Sequence, residues 1–319
     1  MDVSQLRTLI HVAELGSLSK AADRLHIAQP ALSRQIRLLE QELGVRLFNR
    51  HGRGMIATEE GQDVLRHALR VMAELEEIRA VVSNETAALR GHVSIGMPPT
   101  ASDILAEPLV SAFRDAHPEA TLRIVSAYTG YLLDWIYRGE LDAAILYDPK
   151  SARTLRIQPL LEETLFLIGP PGSGLSLERP VEFAELESQR LLLPSKGHGL
   201  RTLVDNYAEE VGILLNVKVE ADSYSTLKSL VGNGHGVTVL PLAPIHEELE
   251  ADRLDAAPLV NPIPVRRLIL SYPTDRPTSR LARFAGQVIA ATVTALVEKG
   301  IWSGRVLETE PEARAPMLP

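Results

Sequence analysis

The tightest constraint on what this chain can fold into is one string: Ala21-Ala22-Asp-Arg-Leu25-His-Ile-Ala-Gln29-Pro30-Ala31-Leu-Ser33-Arg34-Gln-Ile36-Arg37-Leu-Leu39-Glu40. It contains two helical patterns joined by a turn too short for antiparallel stacking. Ala21 and Ala22 are small enough to let the two helices approach closely. Leu32, Ile36, Leu39 and Leu43, spaced 4, 3 and 4, predict the inner face of the second helix. Pro30, Arg34, Arg37 and Gln41 fall on the opposite face, with Ser33 at its edge. That face carries two guanidiniums and no acid, which suits a helix entering the major groove of DNA. Pro30 falls in the first turn, where its missing N–H costs nothing.

Around this pair the pattern extends in both directions. Leu6, Leu9, Ile10 and Ala13 predict an earlier helix stopped by Gly16, and Ser17 is placed to cap the next. Val45 to Thr58, with Gly52 and Gly54, fits a small β wing whose Arg50 and Arg53 are placed to meet backbone phosphates. Residues 1–58 hold 8 lysines and arginines against 5 acids, a net +3, whereas 59–319 hold 25 against 36, a net −11. A basic head on an acidic body assigns the polyanion to the head. The competing reading is a small helical bundle with a solvated arginine face.

Thr58 is placed to cap a long helix from Glu59 to Leu89. Val64, Ala68, Val71, Leu75, Ile78, Val82, Glu85 and Leu89 form a 4-3 seam with one polar break at Glu85. Leu65, Leu69 and Met72 flank it. Such a helix is hard to bury on 58 residues alone, so the spacing predicts pairing with a second copy.

From residue 92 the pattern changes to alternating strands and helices, the α/β signature. Strands are expected at 92–97, 120–126, 141–147, 155–161, 163–169, 190–194, 216–222, 236–240 and 265–273. Helices are expected at 101–116, 130–138, 199–211, 224–232, 242–250 and 279–298. Arg138–Tyr147 and Gly232–Pro241 end two similar blocks, which suggests two lobes with a crevice between them. The division expected is 1–58, 59–90 and 91–300, the last as lobe I (91–162 and 268–300) and lobe II (163–267). A poorly ordered tail is expected over 301–319.

Several chemistries are excluded or unsupported. There is no cysteine, so disulfides, thiolate metal sites and a cysteine nucleophile are absent. Ser225-Thr-Leu-Lys228 lacks the companion motifs of a serine acyl-enzyme, and His246-Glu-Glu lacks a second histidine. Gly232-Asn-Gly-His-Gly236 precedes a strand, and Pro170-Pro-Gly-Ser-Gly174 has no phosphate-binding lysine. The reading is therefore not an enzyme, with no cofactor and no metal. Neither a signal segment nor a membrane-length apolar run is evident, so the expected compartment is the cytoplasm.

The Ala21–Glu40 string, Phe48-Asn-Arg50 followed by Arg53-Gly-Met, and Thr58-Glu-Glu-Gly61 resemble, in residue and spacing, the LysR-type transcriptional regulators. Ala28 departs from the serine many members carry there. The resemblance covers nearly the whole chain. It implies an N-terminal winged helix-turn-helix, a dimerising linker helix and a two-lobed, periplasmic-binding-protein-like α/β effector domain. It implies DNA contacts by Gln29, Pro30, Ser33, Arg34, Arg37, Arg50 and Arg53. It implies effector contacts by Thr100, Ser102 and Thr129 at two helix starts, with Tyr147, Ser195, His198 and Arg201 on the far side and Tyr224 and Thr226 at another helix start. His198 and Arg201 would balance a carboxylate, which points to an acidic metabolite. The implied partners are an inverted-repeat operator, a small-molecule effector, a homodimer built into a homotetramer, and RNA polymerase. The Gly91–Pro99 segment and the Pro194-Ser-Lys-Gly-His198 run are similar to the nitrogen-assimilation branch of the family. The rival class is a cytosolic small-molecule binding protein whose head serves assembly only.

Overall fold

Leu9, Val12, Leu32, Leu39 and Leu47 are wholly withdrawn from solvent and form the centre of the head. In the computed structural model, which describes residues 1–51, 54–82, 88–147 and 154–307, these side chains come from three helices and a wing. They are α1 (Val3–Leu15), α2 (Leu18–Leu25), α3 (Gln29–Leu43) and the hairpin of β1 (Phe48–His51) with β2 (Gly54–Ala57). Ala21 and Ala22 are buried where α2 meets its neighbours. Leu43, expected on the inner face, is instead exposed, because α3 ends at Gly44 in the left-handed region at φ 72° and the core stops a turn earlier.

The wing is fastened by specific polar contacts. The Glu40 carboxylate accepts from Leu47 N at 2.8 Å and Phe48 N at 3.4 Å. Met55 N donates to Gly16 O at 2.8 Å. Gly54 has φ +131°, and a Cβ there would lie 2.3 Å from Gly16 O, so this approach admits only glycine. Thr58 Oγ1 accepts from Gly61 N and donates to Arg46 O, capping α4 (Glu59–Val82).

The helix expected over Glu59–Leu89 is described to Val82, and Ala88–Arg90 are not helical. Its seam divides. Val64 and Ala68, with Leu65, Leu69 and Met72, pack on the head core. Val71 and Ile78 stay exposed, at 44% and 59%. Glu85 lies outside the described residues.

The second unit begins within β3 (Gly91–Met97). Its first lobe adds α5 (Pro99–Ala116), β4 (Ala120–Ser126), α6 (Thr129–Tyr137), β5 (Ala143–Tyr147) and β6 (Leu155–Thr164). The second lobe contains β7 (Phe166–Gly169), β8 (Val181–Glu182), β9 (Leu191–Leu193), α7 (Gly199–Val211), β10 (Val217–Glu220), α8 (Tyr224–Gly232), β11 (Thr238–Leu240), α9 (His246–Glu250) and β12 (Asp255–Val260). The chain then returns through β13 (Val265–Pro273), α10 (Arg280–Glu298) and β14 (Gly304–Val306). Lobe I is a six-stranded sheet in the order β14-β6-β13-β5-β3-β4. β13 lies between β6 and β5 and runs antiparallel to both. Lobe II carries the order β11-β7-β12-β8 and the parallel pair β10-β9, joined by a bridge between Leu191 and Val237.

Four expectations change. The strand expected over 155–161 runs on as β6 to Thr164 and makes the outgoing crossing, and the strand expected from 163 starts at Phe166 as β7. β12 was not expected, since Asp255-Ala-Ala-Pro258 lacks branched and aromatic residues; it pairs antiparallel with β7. The helix expected at 242–250 is a 3-10 turn over Ala243–Ile245 followed by α9. The tail is ordered through Leu307: Trp302 is 2% exposed, and β14 pairs with β6. Residues 308–319 lie outside the described residues. By length and composition α10 is apolar enough to cross a membrane, though Ala282, Ala285, Ile289 and Val293 along it are buried.

The Trp302 indole N–H donates to Glu163 Oε2 at 2.9 Å, and Glu163 is fully buried. Trp302→Phe keeps the packing and leaves that oxygen without its donor. Stability should fall by about 1–3 kcal/mol in urea unfolding of the full chain; an unchanged midpoint and slope would remove the bond from the account.

Candidate nucleic-acid interface and effector site

The start of α3 follows from its sequence. Ala28 occupies the N-cap at φ −67° and ψ 133° with no side-chain hydrogen bond, and Pro30 sits in the first turn. Gln29, Pro30, Arg34 and Arg37 are exposed and Ser33 is half-buried, while Leu32, Ile36 and Leu39 are buried. Among the described residues neither Arg34 nor Arg37 is paired with a carboxylate. Gln35, between the two faces, is held by Thr8 Oγ1 and Ser4 Oγ of α1, which fixes the roll of α3. Arg50 lies on β1 with its side chain outside the described part, and Arg53 lies outside the described residues.

In the second unit, Tyr147 at the carboxyl end of β5 joins two helix starts. Its hydroxyl is 2.9 Å from Thr100 Oγ1 at the start of α5. Its backbone N–H donates to Thr129 Oγ1 at the start of α6, at 3.2 Å. Ser102 follows one residue beyond Ala101 on α5 and is half-buried. This is the strand end where open α/β sheets bind ligands, beside backbone N–H groups left free at helix starts. Burial pushes the Tyr147 hydroxyl upward, so it stays protonated.

The residue that completes this wall is one that sequence reasoning missed. Arg266 of β13 donates through Nη2 to Tyr147 Oη at 2.9 Å and to Thr100 Oγ1 at 3.5 Å. Its guanidinium carbon lies 3.6 Å from the centroid of the Tyr147 ring. Nε pairs with Glu163 Oε1, directly opposite in the β6–β13 register. Burial opposes the charge of Arg266, but Glu163 and Tyr147 together outweigh it, and the guanidinium pKa is raised. A signal was available: alternation along β13 puts Arg266 on the same face as Leu268 and Leu270, both fully buried, and leaves Arg267 exposed.

On the lobe II side the expected residues divide. His198 caps α7 through Nδ1, accepting from Leu200 N, and packs edge-on against Tyr128 with centroids 4.6 Å apart. Burial lowers its pKa against the opposing charge of Asp222, and Arg266 adds to the lowering, so the neutral form is favoured. Ser195 is held through both its N–H and its hydroxyl by Asp222 Oδ1, at 2.9 and 2.7 Å. These bonds keep the Asp222 carboxyl below the usual range. Tyr128, which precedes α6 in lobe I, donates its hydroxyl to the backbone carbonyl of Asp222 in lobe II. Tyr128 and Asp222 were not anticipated. They join the lobes beside His198.

Arg201 corrects the expectation that it would balance a ligand. Two carboxylates already balance its charge, Asp205 on Nε and Glu220 on Nη1, and Nη1 also donates to the Pro194 carbonyl, all within 3.1 Å. Tyr224 and Thr226 lie in the first turn of α8, whose cap is Ser223. Thr226 is exposed, and the Tyr224 ring faces the Lys228 ammonium at 5.4 Å.

Two family models match the chain: "Bacterial regulatory helix-turn-helix protein, lysR family" over residues 3–62 and "LysR substrate binding domain" over residues 86–292. The fold and these two regions define a transcriptional regulator that binds DNA and carries a small-molecule effector domain. The HTH-type transcriptional regulator BbuR of Bordetella bronchiseptica is 31% identical over 304 residues, spanning 95% of this chain and 94% of that protein. The nitrogen assimilation regulatory protein nac of Klebsiella aerogenes is 34% identical over 245 residues, spanning 76% and 78%. Among solved structures, the OxyR C206 mutant of Corynebacterium glutamicum aligns over 97% of this chain and 98% of that one, with a TM-score of 0.70 and 25% identity. The chain belongs to the LysR family.

The bare N-cap of α3 yields a test. Ala28→Ser supplies the missing acceptor for the first free N–H groups and should stabilise the chain by about 0.5–2 kcal/mol. Urea unfolding followed by circular dichroism measures it. A destabilised variant would mean that the Ala28 backbone does not hold cap geometry.

Proposed function

We propose that this regulator binds an inverted-repeat operator as a dimer, with α3 of each copy in the major groove, and answers a small ligand held at the starts of α5 and α6. The observation that carries the ligand site is Tyr147, whose hydroxyl and N–H join Thr100 and Thr129 while Arg266 backs them. Gln29, Pro30, Ser33, Arg34 and Arg37 are assigned to the DNA face, with Arg50 and Arg53 at phosphates. The ligand residues are Thr100, Ser102, Thr129, Tyr147 and His198. Ser195, Tyr224 and Thr226 are assigned to the second-lobe side of the site.

The unpartnered apolar residues of α4, Val71 and Ile78, support pairing of that helix between copies. Paired dimers would form the tetramer that acts on RNA polymerase in the cytoplasm. Because the chain has no cysteine, its signal is not read by thiol oxidation. Ligand that binds one arrangement of the lobes better than another shifts their population by that difference.

Two experiments test the reading. Each of Arg34→Ala and Arg37→Ala should cost about 1–3 kcal/mol of operator affinity and relax sequence preference in gel shifts; full affinity in the double variant contradicts the α3 assignment. Ile78→Lys should shift sedimentation toward smaller species, since an ammonium in an apolar seam lacks a partner. An unchanged distribution would place the interface elsewhere.

A further inference from the structure

Among the described residues two arginines are buried, and they are bonded differently. Arg201 is 6% exposed and holds two carboxylates at once, Asp205 on Nε and Glu220 on Nη1, with the Pro194 carbonyl also on Nη1. Arg266 is 8% exposed and holds one, Glu163 on Nε. Its Nη2 goes to the Tyr147 and Thr100 hydroxyls. Its Nη1 has no hydrogen-bond partner among the described residues, and neither has Nη2 of Arg201, so the two differ in charge balance: Arg201 meets two carboxylates and Arg266 one. A guanidinium carries five donors in a fixed fork that matches a carboxylate.

Neighbouring groups limit what can fill that position. Both oxygens of Glu163 are occupied, by Arg266 Nε and by the Trp302 indole N–H. Tyr147 is held protonated by burial and stacks on the guanidinium. His198 is neutral and feels the charge of Arg266 across the lobes. The N–H groups at the start of α5 add further donors beside Thr100. Among the described residues, the one carboxylate paired with Arg266 is thus also held by Trp302, and the other groups named can all donate.

We propose that Arg266 is the specificity-determining residue of the effector site, and that Nη1 takes a carboxylate of the ligand, as Arg201 Nη1 takes Glu220 within the same fold. The effector is then a small carboxylic acid, bound with one oxygen at Arg266 and a second toward Thr100. This rests on the reading that the ligand lies at the starts of α5 and α6. It assigns the charge-bearing contact to a strand of the return crossing instead of to Arg201. A planar fork matches a carboxylate, so a lysine at the same place is a poor substitute.

Acetate and its neutral isostere acetamide are the probes, applied to the full chain at constant ionic strength. Trp302 touches Glu163 and serves as reporter once Trp135 is replaced by Phe. Acetate should shift Trp302 emission with saturation in the millimolar range, and acetamide should not. Arg266→Lys should weaken acetate at least tenfold. Arg266→Gln paired with Glu163→Gln removes both buried charges together, preserves the fold better than the single change, and should abolish saturable acetate binding, with folding checked by circular dichroism. Equal responses to acetate and acetamide, no saturable acetate response in the parent chain, or wild-type acetate affinity in the double variant would each overturn the proposal. Thr100→Val separates the two levels. If it weakens acetamide and acetate alike while the arginine changes do nothing, the site stands and the carboxylate assignment falls.

Discussion

The effector domain depends on one antiparallel ladder. The chain leaves lobe I along β6 and comes back along β13, and the two strands pair from Pro273 opposite Leu155 to Val265 opposite Thr164. The lobe II end of that ladder is where the chain crosses, and there Glu163 and Arg266 face each other, both buried. Two charges removed from water are costly unless each is paired and hydrogen-bonded. Here the carboxylate takes the guanidinium and the Trp302 indole, and the guanidinium takes two hydroxyls. The pair therefore fixes β14 through Trp302 on one side and the starts of α5 and β5's end on the other.

That arrangement connects sequence to function through strand alternation. Tyr147 and Arg266 come from strands separated by 119 residues in sequence, yet β13 lies directly beside β5 and brings them into contact. Thr100 and Thr129 are helix starts, and helix starts collect free N–H groups. A ligand bound there would meet donors on elements of the first lobe. Tyr128 reaches to Asp222 in the second lobe, so movement of the lobes changes contacts beside His198. In the head the same economy applies: Glu40 on α3 holds the wing by two backbone N–H groups and leaves Arg34 and Arg37 outward.

Much of this was legible in the residues, and the reasons for the rest are physical. The face of α3 follows from a 4-3-4 leucine and isoleucine spacing, so its arginines fall outward with no further information, though Leu43 lies past the end of the core. The α/β order is legible because β-branched runs alternate with helical ones. β12 escapes because alanines and a proline carry little strand signal, and β14 because three residues following Trp302 make no period. Arg201 looked free because a single sequence does not show that Asp205 lies one helical turn away in the right rotamer and that Glu220 sits on a neighbouring strand. Arg266 was hidden by its twin: Arg266-Arg267 reads as a solvated pair until the sheet puts one of them inside.

The central claim is that Thr100, Tyr147 and Arg266 act as one connected wall and not as three separate side chains. A double-mutant cycle of Tyr147→Phe with Thr100→Val, read as unfolding free energies in urea, tests it most directly. Their hydroxyls lie 2.9 Å apart and share Arg266 Nη2. The account predicts a coupling energy of about 0.5–3 kcal/mol, the range for residues in one hydrogen-bond network. Additivity within about 0.3–0.5 kcal/mol, as for distant sites, would contradict it.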